Sequence, residues 1–204
     1  MCGRFTLSNT DQVRSMFGHE IKPRFNVAPS TEILVVADDI QFMHWAYTPT
    51  WAKSPFNLIN ARAESLGEKP SYTSAKRCLI VADGWFEWKK KDRLKYPYFF
   101  HMQNEIFLFA GIYNEYRNVP GCAIVTKKAD GKQGQIHHRM PLIINKKNAA
   151  QWLKGEDISS AVPSQEIYFH QVGTLVNSPK NDTRECIEPY QEKRRHKLSH
   201  EVHY

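Results

Sequence analysis

Cys78-Leu79-Ile80-Val81-Ala82 is an unbroken apolar run that stops at the turn signal Asp83-Gly84. It is too short for a buried helix and long enough for a buried strand. The same reading repeats outward in both directions. Upstream lie Ile33-Leu34-Val35-Val36 and, after the Asp38-Asp39 turn signal, Phe42-Met43-His44-Trp45. Downstream, Tyr98-Phe99-Phe100-His101-Met102 and Ile106-Phe107-Leu108-Phe109-Ala110-Gly111-Ile112-Tyr113 flank Gln103-Asn104, which predicts a hairpin. Cys122-Ala123-Ile124-Val125-Thr126, Pro141-Leu142-Ile143-Ile144 and Ile167-Tyr168-Phe169-His170-Gln171-Val172 complete the series. Helical signals are fewer. Ser8-Asn9-Thr10 caps a short helix from Asp11 to Phe17 that Gly18 ends. Asn60 to Ser65 opens a second, and Lys147 to Leu153 forms a third, stopped by Gly155. Strands that do not alternate with helices predict a β-rich α+β chain rather than a βαβ fold.

A chain of 204 residues suits one domain, or at most two small ones, and buries a core without disulfides or metals. No stretch approaches the roughly 18 apolar residues of a membrane span. No apolar signal-peptide core follows Met1 either, so a cytoplasmic protein is expected. The formal charge of +7 fits a polyanionic partner, nucleic acid or an anionic membrane, although solubility alone accounts for it equally well. Cys2, Cys78, Cys122 and Cys186 are widely and irregularly spaced with no C-x-x-C pair, which argues against a zinc site and for free thiols. The last three sit among apolar neighbours and read as core. The polar tail from Gln191 to Tyr204, with Lys193-Arg194-Arg195, reads as a frayed end.

Cys2 is set apart by its position. Methionine aminopeptidase removes Met1 when a small residue follows, and the product carries an amine and a thiol on one residue. The amine titrates at roughly 7.7–8.0 and the thiol at about 8.5, so both are reactive near neutrality. Such an aminothiol condenses with an aldehyde to an imine, and the thiol then closes a five-membered thiazolidine. It also serves as an N-terminal nucleophile for amide cleavage. Position alone leaves open that Cys2 is merely a small residue after Met. Gly3 permits close backbone approach, and Arg4 sets a permanent cation beside the thiol.

Met1-Cys2-Gly3-Arg4-Phe5 begins an ordered series of motifs. It continues with Arg24-Phe25-Asn26-Val27-Ala28-Pro29, Trp45, Pro49-Thr50-Trp51-Ala52-Lys53 and Ile59-Asn60-Ala61-Arg62-Ala63-Glu64-Ser65. Then come Arg77 to Trp88, Phe109-Ala110-Gly111-Ile112-Tyr113, Ile124-Val125-Thr126 and Ile136-His137-His138-Arg139-Met140-Pro141. Val176-Asn177-Ser178-Pro179-Lys180-Asn181-Asp182 and Cys186-Ile187-Glu188-Pro189 close it. The series resembles the SRAP family (SOS response-associated peptidase-like proteins), which suppress abasic-site damage in single-stranded DNA. Two departures stand out: Trp45-Ala46-Tyr47-Thr48-Pro49 replaces a common Trp-Gly-Leu-Ile-Pro, and His138 occupies a position that is commonly acidic.

The resemblance implies a single SRAP domain over residues 2–189, a bifurcated, barrel-like, mainly antiparallel sheet flanked by short helices, and a basic, His-rich tail at 190–204. It implies that mature Cys2 captures the open-ring aldehyde of an abasic site as a thiazolidine, reversibly and without a metal or organic cofactor. Glu87, between Phe86 and Trp88, loses hydration against the indole, which raises its pKa and suits it to move protons. His137 is the second acid–base group, with His138 left as a structural residue, and Asn60 positions Cys2 and the sugar. Arg4, Arg62 and Arg139 resemble phosphate ligands, Trp51 and Pro29 offer faces to bases, and Thr126 offers a backbone-phosphate hydrogen bond. The expected partner is single-stranded DNA containing abasic sites, met by a monomer through lyase-like crosslinking chemistry. Two other readings stay open: a thiol peptidase using the same Cys2 site, and a non-catalytic single-strand-binding module. A zinc-binding protein is more distant, for want of ligand spacing.

Overall fold

The computed structural model of the protein describes residues 2–156 and 166–191. The expected tail therefore lies, from residue 192 on, outside the described residues. In chain order the strands are β1 (Phe5–Leu7), β2 (Arg24–Val27), β3 (Glu32–Val36), β4 (Ile40–His44), β5 (Asn60–Arg62) and β6 (Lys76–Ala82). They continue as β7 (Gly84–Lys91), β8 (Leu94–His101), β9 (Phe107–Tyr116), β10 (Val119–Lys128), β11 (Arg139–Pro141), β12 (Ile143–Ile144) and β13 (Tyr168–Gln171). Two helices, α1 (Thr10–Phe17) and α2 (Ala149–Leu153), lie where the capping and stop signals predict them. The Asn9 side chain caps α1 by accepting from Gln12 N–H at 3.1 Å, and Gly18 ends it at φ 67°.

The strands form two mostly antiparallel sheets, as the β-rich reading predicts. One runs β13-β8-β7-β1-β2. The other runs β11-β10-β4-β3-β6-β9-β12, and an additional β9–β10 pairing makes β10-β4-β3-β6-β9 a closed ring. Its narrowest seam is a single parallel bridge, Gly121 to His44. A Cβ at Gly121 would lie 2.6 Å from the Ala46 carbonyl oxygen, so only glycine lets the two backbones approach there.

Aromatic side chains fasten the sheets together. Phe5 of β1 packs edge-on against Trp45 at 5.1 Å and Phe109 at 6.1 Å. Trp85 of β7 stacks on Phe100 at 5.0 Å and meets Phe107 and Phe109 edge-on. Each such pair contributes roughly 0.5–1.5 kcal/mol beyond its buried area. Gly84 shares this tight region: a Cβ there would overlap the Phe99 ring and sit 2.8 Å from Thr6 Oγ1. Gly84→Ala should therefore destabilise the protein by about 1–3 kcal/mol, read as a lower urea midpoint at unchanged m-value. An unshifted midpoint would mean that the Phe99 ring turns aside freely.

Two expectations from the sequence change. Gln103 and Asn104 do form a turn, at φ 52° and 67°, but β8 and β9 do not pair across it. Both edges of β8 are already taken by β7 and β13, so the chain crosses to the other sheet. The hairpins among the described residues are instead β3–β4, closing at Val36–Ile40, β7–β8, closing at Lys91–Leu94, and β9–β10, closing at Tyr116–Val119. Asn60 to Ser65 is not a helix. Asn60–Arg62 pairs in parallel with Ile124–Thr126 of β10, which satisfies its backbone, and only Ala63–Ser65 coils, as a 3-10 turn.

Candidate functional site

Cys2 precedes β1 and is fully buried. β1 runs between β7 and β2, while β5 runs beside β10, and these placements bring Cys2, Asn60 and Glu87 together. The Asn60 amide donates from Nδ2 to the Cys2 carbonyl at 2.8 Å. Its Oδ1 is buried with no hydrogen-bond partner among the described residues, an acceptor left open beside Cys2. The Cys2 thiol has the Arg4 carbonyl as acceptor at a long 3.7 Å. Burial, and then the nearby negative charge of Glu87, push its pKa well above the ordinary thiol value, so it rests protonated.

Glu87 is 3% exposed on β7, and burial lifts its carboxyl to about 7. His137 Nδ1 stands 3.7 Å from Glu87 Oε2. The ring is held by the Arg139 backbone, whose N–H and carbonyl oxygen both lie 3.1 Å from Nδ1. Burial lowers the His137 pKa, which favours the neutral imidazole. A buried carboxyl beside a partly exposed imidazole can thus give and take protons near neutral pH. His138 is exposed, with its ring 4.4 Å from that of His137, so the structure puts His137 and not His138 against Glu87. Glu87, Trp88, Lys90, Lys95, His137 and Asn177 line a cleft of ≈ 390 Å³. A larger groove of ≈ 470 Å³, lined by Phe5, Leu7, Ile33, Leu34 and Phe42 among others, contains none of these acid–base groups.

The remaining predicted residues separate into two groups. Arg62 and Trp51 face solvent, Trp51 at 56% exposure, and the Trp51 ring meets the exposed Phe56 edge-on at 5.5 Å. The Arg62 guanidinium makes no hydrogen bond or ion pair among the described residues, and Pro29 is half-buried after β2. Arg4, Thr126 and Arg139, by contrast, are engaged inside the protein. Arg4 donates to Asn26 Oδ1 at 2.8 Å and to the carbonyls of Val176 at 2.9 Å and Asn177 at 3.4 Å. Arg139 makes a two-pronged pair with Glu64 at 2.7 and 2.9 Å and donates to the Thr126 carbonyl at 2.6 Å and hydroxyl at 3.3 Å. That guanidinium holds the Glu64 carboxyl down at about 2. Arg139 thereby anchors the segment that holds His137.

Sequence reasoning missed Glu64, whose only signal was its place in the Asn60–Ser65 motif. It also missed Trp88 and Asn177, which join β7 to the segment after β13 by an indole N–H to Asn177 Oδ1 bond of 2.8 Å. Lys90 and Lys95 were legible only as part of a run of charges.

Residues 1–179 match the family model described as SOS response associated peptidase (SRAP). Over 224 aligned positions the chain is 35% identical to abasic site processing protein YoqW of Bacillus subtilis, covering 93% of this chain and 100% of that one. It is 31% identical to abasic site processing protein YedK of Escherichia coli, again over 93% and 100% of the two chains. A crystal structure of a Bacteroides thetaiotaomicron protein shares the fold with a TM-score of 0.78 at 20% identity, covering 93% of this chain and 100% of that chain.

Proposed function

The chain belongs to the SOS response associated peptidase (SRAP) family, and on that premise we propose that it processes abasic sites in DNA by capturing their open-ring aldehyde on Cys2. The observation that carries this reading is the convergence of a buried cysteine at the chain's start with the Asn60 amide, the Glu87 carboxyl and the His137 ring.

Excision of Met1 exposes the Cys2 amine. The Asn60 side chain, whose Nδ2 already holds the Cys2 carbonyl, accepts one of the amine's N–H bonds at its unpaired Oδ1 and so orients the amine's lone pair toward the aldehyde carbon. Amine addition gives a carbinolamine. A protonated Glu87 or His137 supplies the proton with which hydroxide leaves as water, forming the protonated imine. The thiol then adds to the iminium carbon: sulfur bonds to carbon, the C=N π electrons return to nitrogen, which keeps its proton as the thiazolidine N–H, and the thiol proton passes to the base left by the previous step. Reversal retraces these steps and frees the DNA. Because Glu87 titrates at about 7, both of its forms are present for the two directions of proton flow. A resting thiolate is not required, which fits a thiol held protonated by burial better than it fits a peptidase nucleophile.

Single-stranded DNA is the substrate form this surface suits. Trp51, with Phe56, offers an aromatic face that tolerates any base, Pro29 adds a further apolar surface, and Arg62 presents a free guanidinium to phosphate. Arg139, Thr126 and Arg4 serve binding by holding the walls of the cleft. Trp51→Ala should weaken binding of an undamaged single-stranded oligonucleotide by roughly 1–3 kcal/mol, the worth of one stacked base, in fluorescence anisotropy. Equal affinity would remove the stacking role. The capture itself is tested with a uracil-excised oligonucleotide on a denaturing gel, after intact-mass measurement has established that Met1 is gone. If the mature protein retains no DNA, the reading fails.

A further inference from the structure

The β7–β8 hairpin carries more charge than the chemistry of the cleft uses. Beside it, β1 pairs with β7 only at Gly84 and Trp85, and β13 pairs with β8 only from Tyr98 to His101. The Phe86 N–H still donates to the Arg4 carbonyl and the Val172 N–H to the Pro97 carbonyl, both at 3.0 Å, and the Trp88 indole still reaches Asn177; from Lys89 to Lys95 the hairpin is a two-stranded arm with no further strand pairing among the described residues. Its outer turn, from Lys89 to Lys95, holds Lys89, Lys90, Lys91, Arg93 and Lys95 against the single acid Asp92, a net +4 out of the chain's +7. None of these five cations forms an ion pair among the described residues. Lys90 and Lys95 stand directly opposite each other in the ladder, and both line the cleft that contains Glu87 and His137. Like charges facing across a strand pair destabilise it, and an isolated two-stranded hairpin is marginal to begin with. The other residues lining that cleft are Trp88, Asn177 and the acid–base pair, so among the described residues the only carboxylate there is Glu87, itself half-protonated near pH 7. Asp92 offsets one of the arm's five cations, and a polyanion would offset the rest.

We propose that the Lys90–Lys95 pair grips the phosphodiester backbone of the single strand where it enters the Glu87–His137 cleft, and that Lys91 and Arg93 extend this grip along the strand. The proposal rests on the reading of the protein as an abasic-site processor but concerns non-covalent binding, so the two can fail separately. The alternative is that the lysines only blunt an unpaired sheet edge against aggregation, which involves no nucleic acid.

The test is equilibrium binding of an undamaged, fluorescein-labelled single-stranded oligonucleotide as salt is varied. Lys90→Gln/Lys95→Gln is compared with wild type and with Lys146→Gln/Lys147→Gln, which removes the same charge from residues outside the cleft. Losing two phosphate contacts should flatten the slope of log K against log salt by roughly 1.4, about 25-fold in affinity at 0.1 M salt relative to 1 M, with the control slope unchanged. Urea midpoints verify that both variants fold. An unchanged slope in the Lys90/Lys95 variant, or an equal loss in the control, overturns the proposal. Covalent retention of abasic DNA is read separately at saturating oligonucleotide. A lysine-dependent slope without retention by wild type keeps the arm and sinks the Cys2 reading; retention without the slope change does the reverse.

Discussion

Cys2→Ala should leave no abasic DNA in the protein band of a denaturing gel, while binding to undamaged single strands stays within about twofold of wild type. The substitution removes the sulfur that closes the ring but keeps the α-amine. Any adduct that remains is an open imine, which hydrolyses under denaturing conditions. Trapping with borohydride should recover it, so the variant separates the two covalent steps: imine formation survives and ring closure does not. The fold should tolerate the change with a loss of order 1 kcal/mol, since one buried sulfur leaves a small cavity. Equal retention by wild type and variant without borohydride would place the nucleophile elsewhere. Loss of binding to undamaged strands would instead assign Cys2 a structural part in the DNA surface.

Glu87→Gln should slow both formation and release of the adduct by about 100-fold or more, the ordinary contribution of a positioned acid–base group. Wild type should show an inflection near pH 7 in its rate profile, from the carboxyl that burial holds at about 7, and the variant should lack it. Stability provides a second readout. The folded carboxyl binds its proton more tightly than the unfolded one, so its contribution is fully present below about pH 4.5, declines as pH rises toward 7 and is lost above that. The scale is about 3 kcal/mol at most. Glutamine carries no proton to lose, so the difference in unfolding free energy between variant and wild type should grow in the variant's favour from pH 5 to 8. A pH-independent difference would mean that Glu87 is already ionised in the folded protein at low pH. Unchanged release kinetics would remove it from proton transfer.

The order of elements along the chain was legible because strand runs are short, apolar and bounded by turn residues, and because α1 carries both of its caps. Which sheet each strand joins was not. Gln103-Asn104 has the composition of a hairpin turn, yet the pairing there is decided by β7 and β13, which compete for the edges of β8. β1 and β2 were missed because strands of three and four residues hardly show an alternation, and β5 because its short segment takes its structure from β10. Within the site, Glu87 and His137 were readable as chemistry because aromatic neighbours and an imidazole announce themselves locally. The position of Arg139 was not readable. Its pairing with Glu64 spans 75 residues, and an arginine inside a motif looks the same in sequence whether it points to solvent or to a carboxylate. Exposure, more than residue type, distinguishes Arg62 from Arg139.

The placement of β1 between β7 and β2, with Phe5 set opposite Trp85, turns the first residues of the chain into a ruler. Three residue steps separate Cys2 from that fixed mark. Each extended residue spans about 3.3 Å and reverses the facing of its side chain. One residue added or removed between Cys2 and Phe5 would shift the sulfur by a full step and turn it away from Glu87. The reach of the Cys2 sulfur is thus measured from the middle of a sheet rather than from a loose chain end, and its precision is inherited from the aromatic core to which β1 is bolted.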